Sequence, residues 1–221
     1  MRTLTIEEAK SYYDHFGAKQ DSQSFYEAPA LQALVENSRF DKATSVFEFG
    51  CGTGHFAHEL LTKHLPPTAN YHGIDVSTTM IKLASSILAP FSQRATVSLA
   101  SEQIVIPAEA NSVDRFVSSY VLDLLLPESI ARVLNEAHRT LQSDGLLCLV
   151  SLTKGISPIS HFTMSVWQSL FSMNPAWVGG CRPTELTDHL SVDQWNVRHQ
   201  EVIVAWGIPS EVVVASPIKT G

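Results

Sequence analysis

Ser45-Val46-Phe47-Glu48-Phe49-Gly50-Cys51-Gly52-Thr53-Gly54-His55-Phe56 passes from strand-forming apolar residues into alternating glycines. Val46, Phe47 and Phe49 supply strand-forming bulk, and glycine then stands at positions 50, 52 and 54. This order predicts a short buried strand, a tight turn, and a helix running from about Gly54 to Leu65. A backbone stripped of Cβ atoms lets a ligand come close to main-chain N–H groups. The first amides of the helix suit a carboxylate or phosphate. One or two glycines would make the turn, so three in alternation point to a ligand.

Working outward, Tyr71-His72-Gly73-Ile74-Asp75 reads as the next strand, and Asp75 closes it 21 residues after Gly54. A carboxylate at that place can accept both ribose hydroxyls of a nucleoside, while Ser77 supplies a separate cap for the following helix. Met80, Ala84, Ile87, Leu88 and Phe91 make one apolar stripe over Thr78 to Phe91. Strands are expected at Ala95–Leu99, Arg115–Ser119 and Leu146–Leu152, with a helix over Pro127–Leu141 and a turn at Ser143-Asp144-Gly145. A last helix at Thr184–Leu190 and a hairpin of Asn196–Ala205 with Glu211–Ser216 complete the chain.

Glu48-Phe49-Gly50-Cys51-Gly52-Thr53-Gly54 resembles the E/D-x-G-x-G-x-G signature of class I S-adenosylmethionine-dependent methyltransferases. A dinucleotide-binding G-x-G-x-x-G would need glycine at 55, where His55 stands. Ala100-Ser101-Glu102-Gln103, Ile106-Pro107 and Ser112-Val113-Asp114 resemble a further passage of that family, with Glu102 where aspartate is usual. The resemblance covers about 45–152. It implies an α/β, Rossmann-like fold with a mostly parallel seven-stranded sheet and helices on both faces. It implies S-adenosylmethionine as cofactor, with Glu48, Gly50, Cys51, Gly52 and Gly54 near its methionine part. Asp75 then meets the ribose, and Val76 and Met80 are further cofactor contacts. Ser101, Glu102 and Gln103 meet the adenine, and Ser119 and Tyr120 lie where donor and acceptor come together.

The same resemblance makes residues 1–44, rich in Tyr12, Tyr13, Phe25 and Tyr26, a helical lid. It makes 45–221 the methyltransferase domain, in which 153–183 is an insertion building the acceptor pocket. Tyr13, Tyr120 and Asp123 are the expected acceptor contacts. Methyl transfer from a sulfonium needs orientation first, and a base only where the acceptor must lose a proton. Candidate bases are Tyr120, Asp123, His161 and His189. His55, His58 and Glu59 share a helix face but find no second ligand cluster, so no metal is expected.

The chain has 221 residues, 44% hydrophobic and 17% charged, which describes one folded α/β unit. Its net charge is −7, and it has no Lys/Arg cluster. That balance argues against a nucleic-acid backbone as main partner, while leaving room for a small tRNA contact. The expectation is a small-molecule methyl acceptor, no nucleic acid, no membrane, and a monomer or homodimer. Three cysteines, Cys51, Cys148 and Cys181, read as apolar fillers in a reducing compartment. With no apolar signal region at Met1–Glu8, the expected location is cytoplasmic. Two rivals are an NAD(P)-dependent oxidoreductase, which the residue at 55 opposes, and a non-catalytic adenosylmethionine-binding regulatory protein.

Overall fold

The quoted stretch begins with strand β1 (Ser45–Phe49), an inner strand flanked on both sides in the sheet. The computed structural model describes residues 14, 17, 24–101, 104–174, 178 and 180–219. Ahead of β1 lies helix α1 (Ser24–Ser38). After the glycine turn come α2 (His55–Glu59, continued as a π-type turn over Leu60–His64), β2 (Asn70–Asp75) and α3 (Thr78–Ile87). Next are β3 (Ala95–Leu99), β4 (Val113–Ser119), α4 (Pro127–Thr140) and β5 (Leu141–Leu152). The chain ends with α5 (Pro158–Met173), β6 (Trp195–Ala205) and β7 (Ile208–Pro217).

The strands stand in the order β3-β2-β1-β4-β5-β7-β6. β1 pairs in parallel with both β2 and β4, so the strand order reverses between β1 and β4. Open α/β sheets hold ligands beyond the carboxyl ends of the strands at such a reversal. β7 runs antiparallel between β5 and β6. The Trp206-Gly207 turn of that hairpin has φ of 54° and 80°, both left-handed, matching the twist of the two strands.

Helices cover both faces, so the central strands are apolar on both sides. In β5, Cys148 and Val150 enter one core with Ala30, Leu34, Val46, Leu60, Val117 and Val214. Leu147 and Leu149 enter the other, with Phe47, Phe49, Phe116, Ile130, Val133 and Leu134. The period of two in the strand is what splits them.

Three local readings differ. β5 begins at Leu141, and the expected turn is an irregularity within it: Val113 faces Leu141 while Arg115 faces Leu146. Gly145 fits there because a Cβ would come within 3.0 Å of the Gln142 carbonyl. The helix expected over Thr184–Leu190 is a short 3-10 turn, Leu186–His189. Within 153–183, α5 opens with a capping box in which Ser157 and Ser160 satisfy each other's amides.

Candidate cofactor and methyl-transfer site

The glycine turn carries three left-handed residues, Gly50, Gly52 and Gly54, with φ of 79°, 51° and 83°. The amides of Gly50, Cys51, Gly52 and Gly54 are committed within the protein. Gly50 N and Cys51 N both donate to the Ile74 carbonyl, at 2.8 and 3.0 Å, and Gly54 N donates to the Cys51 carbonyl. Gly52 N donates to Asp75 Oδ2 at 3.0 Å. This corrects the expectation that the turn offers these N–H groups to a ligand. The missing side chains supply space instead. Gly54 has a different reason again: a Cβ there would come within 2.9 Å of the Ala84 Cα, so it serves the packing of the turn on α3.

Two cavities meet around the turn. The larger, about 660 Å³, is walled by Glu48, the turn from Gly50 to Thr53, Ser119 and Tyr120. Its far side is built by Glu27, Leu31 and Gln32 of α1 and by His55, His58, Glu59 and Lys63 of the helix after the turn. The smaller, about 80 Å³, lies between Phe49, Ile74, Asp75, Val76, Ala100, Val121 and Leu124. Gly50, Gly52, Ser119 and Tyr120 border both.

Asp75 accepts from Gly52 N and, through Oδ1, from Ser77 N at 2.8 Å. Burial raises its pKa, and these amides hold the rise back. Each carboxylate oxygen has two lone pairs, so acceptor capacity is left for ribose hydroxyls. Glu48 is 1% exposed, and burial pushes its pKa up to about 7. Tyr120 has φ of 55°, a sparsely populated conformation for a bulky residue, and such residues cluster at ligand sites. Its hydroxyl donates to Ser210 Oγ at 2.8 Å, and its ring stands edge-on to Tyr26 at 5.9 Å.

Asp123 is fully buried and borders neither cavity. Neither of its side-chain oxygens has a well-formed hydrogen bond. Burial pushes its pKa up to about 7, partly offset by the Leu152 amide and its own. Met80 faces the core. Ser101 is exposed, His161 is exposed on α5, and His189 is half-buried in the 3-10 turn. None of these four borders either cavity, nor does any described residue of 153–183. Tyr13, Glu102 and Gln103 lie outside the described residues. Sequence reasoning missed Glu27, Ala100, Val121 and Leu124 as walls, because loop and helix residues carry no periodic signal of which cavity they meet. Among the described residues no group of His, Cys, Asp and Glu could hold a metal ion.

The sheet order and the carboxylate-flanked, side-chain-free bend at its reversal are those of the Rossmann-like fold shared by class I methyltransferases. Residues 47–147 match the family model described as "Methyltransferase domain". The chain is 29% identical over 150 residues to a Drosophila melanogaster protein named tRNA N(3)-methylcytidine methyltransferase Mettl2. That alignment takes in 63% of this chain and 46% of the relative. A Gallus gallus tRNA N(3)-cytidine methyltransferase METTL2 is 29% identical over 107 residues, 47% of this chain and 29% of its own length. The chain thus spans less than half of the curated relatives it matches.

Among solved structures, the [4+2]-cyclase SpnF superposes with a TM-score of 0.73 at 14% identity over 98% of both chains. Geranyl diphosphate methyltransferase in complex with GPP and sinefungin gives 0.73 at 10% identity, over 97% of this chain and 99% of that one. At such identities the likeness is one of fold. SpnF is a cyclase, so the fold alone does not fix the reaction. The comparisons correct one expectation, a small-molecule acceptor with no nucleic acid. Both curated relatives are by name tRNA methyltransferases. Net charge reports affinity for a phosphate backbone and says nothing about which base a pocket admits. Among the described residues no helix is long and apolar enough to cross a membrane.

Proposed function

We propose that the chain binds S-adenosylmethionine across the two cavities and transfers its methyl group to a ring nitrogen of a nucleobase in RNA, with cytidine in tRNA the first candidate. The observation carrying the cofactor half is the pair of carboxyl groups, buried Glu48 at the larger cavity and half-buried Asp75 at the smaller, on either side of the glycine bend. The residues present fit this group. Asp75 would take the ribose; Val76, Ala100 and Leu124 give the adenine an apolar slot; Glu48 would face the ammonium of the amino-acid end. When bound, the cofactor supplies a methyl group already activated on a sulfonium. The chain's own work is to hold donor and acceptor in line and keep water out.

The acceptor half is supported by the names of the two curated relatives. It also suits the chemistry around Tyr120. A ring nitrogen with a free lone pair attacks without losing a proton, so no general base is required. The Tyr120 hydroxyl is already donated to Ser210, and burial pushes its pKa far upward. With a net charge of −7, the chain offers RNA phosphates little, so its own binding of RNA should depend only weakly on salt. The test is incubation with tRNA and methyl-deuterated cofactor, followed by mass spectrometry of the digested nucleosides. Label in 3-methylcytidine supports the reading. A protein that binds the cofactor but labels no nucleoside overturns the acceptor half.

A further inference from the structure

Tyr71 and Gly73 lie two residues apart on β2 and so face the same side of the sheet. Glu48 stands directly opposite Gly73 in the register of β1 and β2. A Cβ at position 73 would come within 2.6 Å of the Tyr71 hydroxyl and 2.8 Å of the Cys51 Cβ. Glycine therefore opens the space through which the phenol leans along its strand and reaches the neighbouring one. The Tyr71 hydroxyl donates to Glu48 Oε2 at 2.6 Å, with both residues buried. Among the described residues Glu48 Oε1 has no hydrogen-bond partner, and Glu48 forms part of the wall of the larger cavity.

We propose that Tyr71 is a positioning residue for the amino-acid end of the cofactor: it fixes Glu48 by one oxygen, leaves the other for the ligand's ammonium, and makes cofactor binding release a proton. This rests on the cofactor reading above. A buried carboxylate with no cation beside it favours its protonated form, whereas a hydrogen bond donated to it favours the charged form. Both influences act on Glu48: burial raises its pKa to about 7, Tyr71 pulls it down, and Asp75 adds a smaller upward push. An arriving ammonium stabilises the carboxylate, so the proton leaves to solvent. Tyr71 and Cys51 stay protonated, since burial and the nearby carboxylates push both well above their usual values. Across the cavity stand Glu27 of α1 and His55, His58, Glu59 and Lys63 of the helix after the turn, with Lys63 paired to Glu59 at 3.0 Å. The Tyr71 hydroxyl hydrogen-bonds Glu48, which is what separates its effect from theirs.

The test is calorimetric titration between pH 5.5 and 7.5, in two buffers of different ionisation enthalpy. S-adenosylhomocysteine, which has the ammonium, is compared with 5′-methylthioadenosine, which lacks the amino-acid end. For the wild-type chain, affinity for S-adenosylhomocysteine should rise with pH, approaching about tenfold per pH unit below the midpoint, with proton release. Tyr71→Phe should move that midpoint upward and weaken binding several-fold at pH 7, and Glu48→Gln should flatten the profile. Binding of 5′-methylthioadenosine should be the same in wild type and Tyr71→Phe and flat with pH. A pH-independent wild type, an unmoved midpoint in Tyr71→Phe, or an equal shift with 5′-methylthioadenosine would each overturn the inference while leaving the cofactor reading standing. Failure of the wild type to bind either probe would overturn both.

Discussion

Asp75 Oδ2 accepts the Gly52 amide at 3.0 Å, which ties the glycine turn after β1 to the end of β2. The other oxygen holds the Ser77 amide at 2.8 Å, and Ser77 Oγ in turn caps α3 by accepting from Met80 N at 3.2 Å. One side chain thus fixes the floor of the smaller cavity from two directions. Asp14 adds a third, its Oδ1 accepting from the Ser77 hydroxyl at 2.6 Å and from Thr79 N at 3.1 Å.

Asp75→Ala is expected to do two things at once. Cofactor affinity should fall by about 1–3 kcal/mol, the scale of a lost hydrogen-bonding carboxylate. Thermal stability without ligand should fall too, since the Gly52 and Ser77 amides lose their acceptor. Calorimetry and a melting curve read the two effects separately. An unchanged affinity would remove Asp75 from the binding site.

Gly54 and Gly52 should separate packing from binding. A side chain at Gly54 faces both a φ of 83° and the α3 backbone at 2.9 Å, so Gly54→Ala should cost on the order of 1–3 kcal/mol of stability. Gly52 borders both cavities, so Gly52→Val should lose cofactor affinity beyond any loss of stability. Urea unfolding alongside calorimetry would show this; equal affinity losses at both positions would contradict it.

The buried Asp123 predicts a pH-dependent stability. Its folded pKa, about 7, lies above its ordinary value of 3.8, so the folded state holds the proton more tightly than the unfolded one. Any stabilisation from this proton is fully present below about pH 4 and is lost as pH rises through 7. Asp123→Asn should therefore be more stable than wild type at pH 8, on the order of 4 kcal/mol, with the gap closing toward pH 4. A gap independent of pH would show that the carboxyl is not held neutral.

Tyr120 borders both cavities, so its ring should matter to cofactor affinity and to turnover together. Tyr120→Phe keeps the ring and loses the bond to Ser210, costing about 0.5–1.5 kcal/mol of stability. Tyr120→Ala should lower cofactor affinity and kcat together. An unchanged affinity would show that the ring does not wall the cofactor's site.

The sheet was legible in the sequence because its signals are local: apolar runs of strand length, a stripe over Thr78–Phe91, and a turn at Trp206-Gly207. Alternation of Leu147 and Leu149 with Cys148 and Val150 shows why β5 read as buried on both sides. Residues whose role depends on distant partners were harder. Gly54 looked like its two neighbours, yet its reason is Ala84, 30 residues on. Strand pattern alone gives Tyr71 no role beyond its place in β2, although Tyr71-x-Gly73 holds a signal: a large residue and an absent one on the same face, beside Glu48. The acceptor was misjudged because net charge averages over a surface, whereas specificity is set by one pocket.

On this reading the two cavities flanking the glycine bend form one adenosyl cradle. A crystal structure of the chain soaked with S-adenosylhomocysteine tests it most directly. The ribose hydroxyls should lie on Asp75, the adenine between Val76, Ala100 and Leu124, and the ammonium on Glu48. A ligand bound elsewhere, or one whose ribose leaves Asp75 untouched, would contradict it.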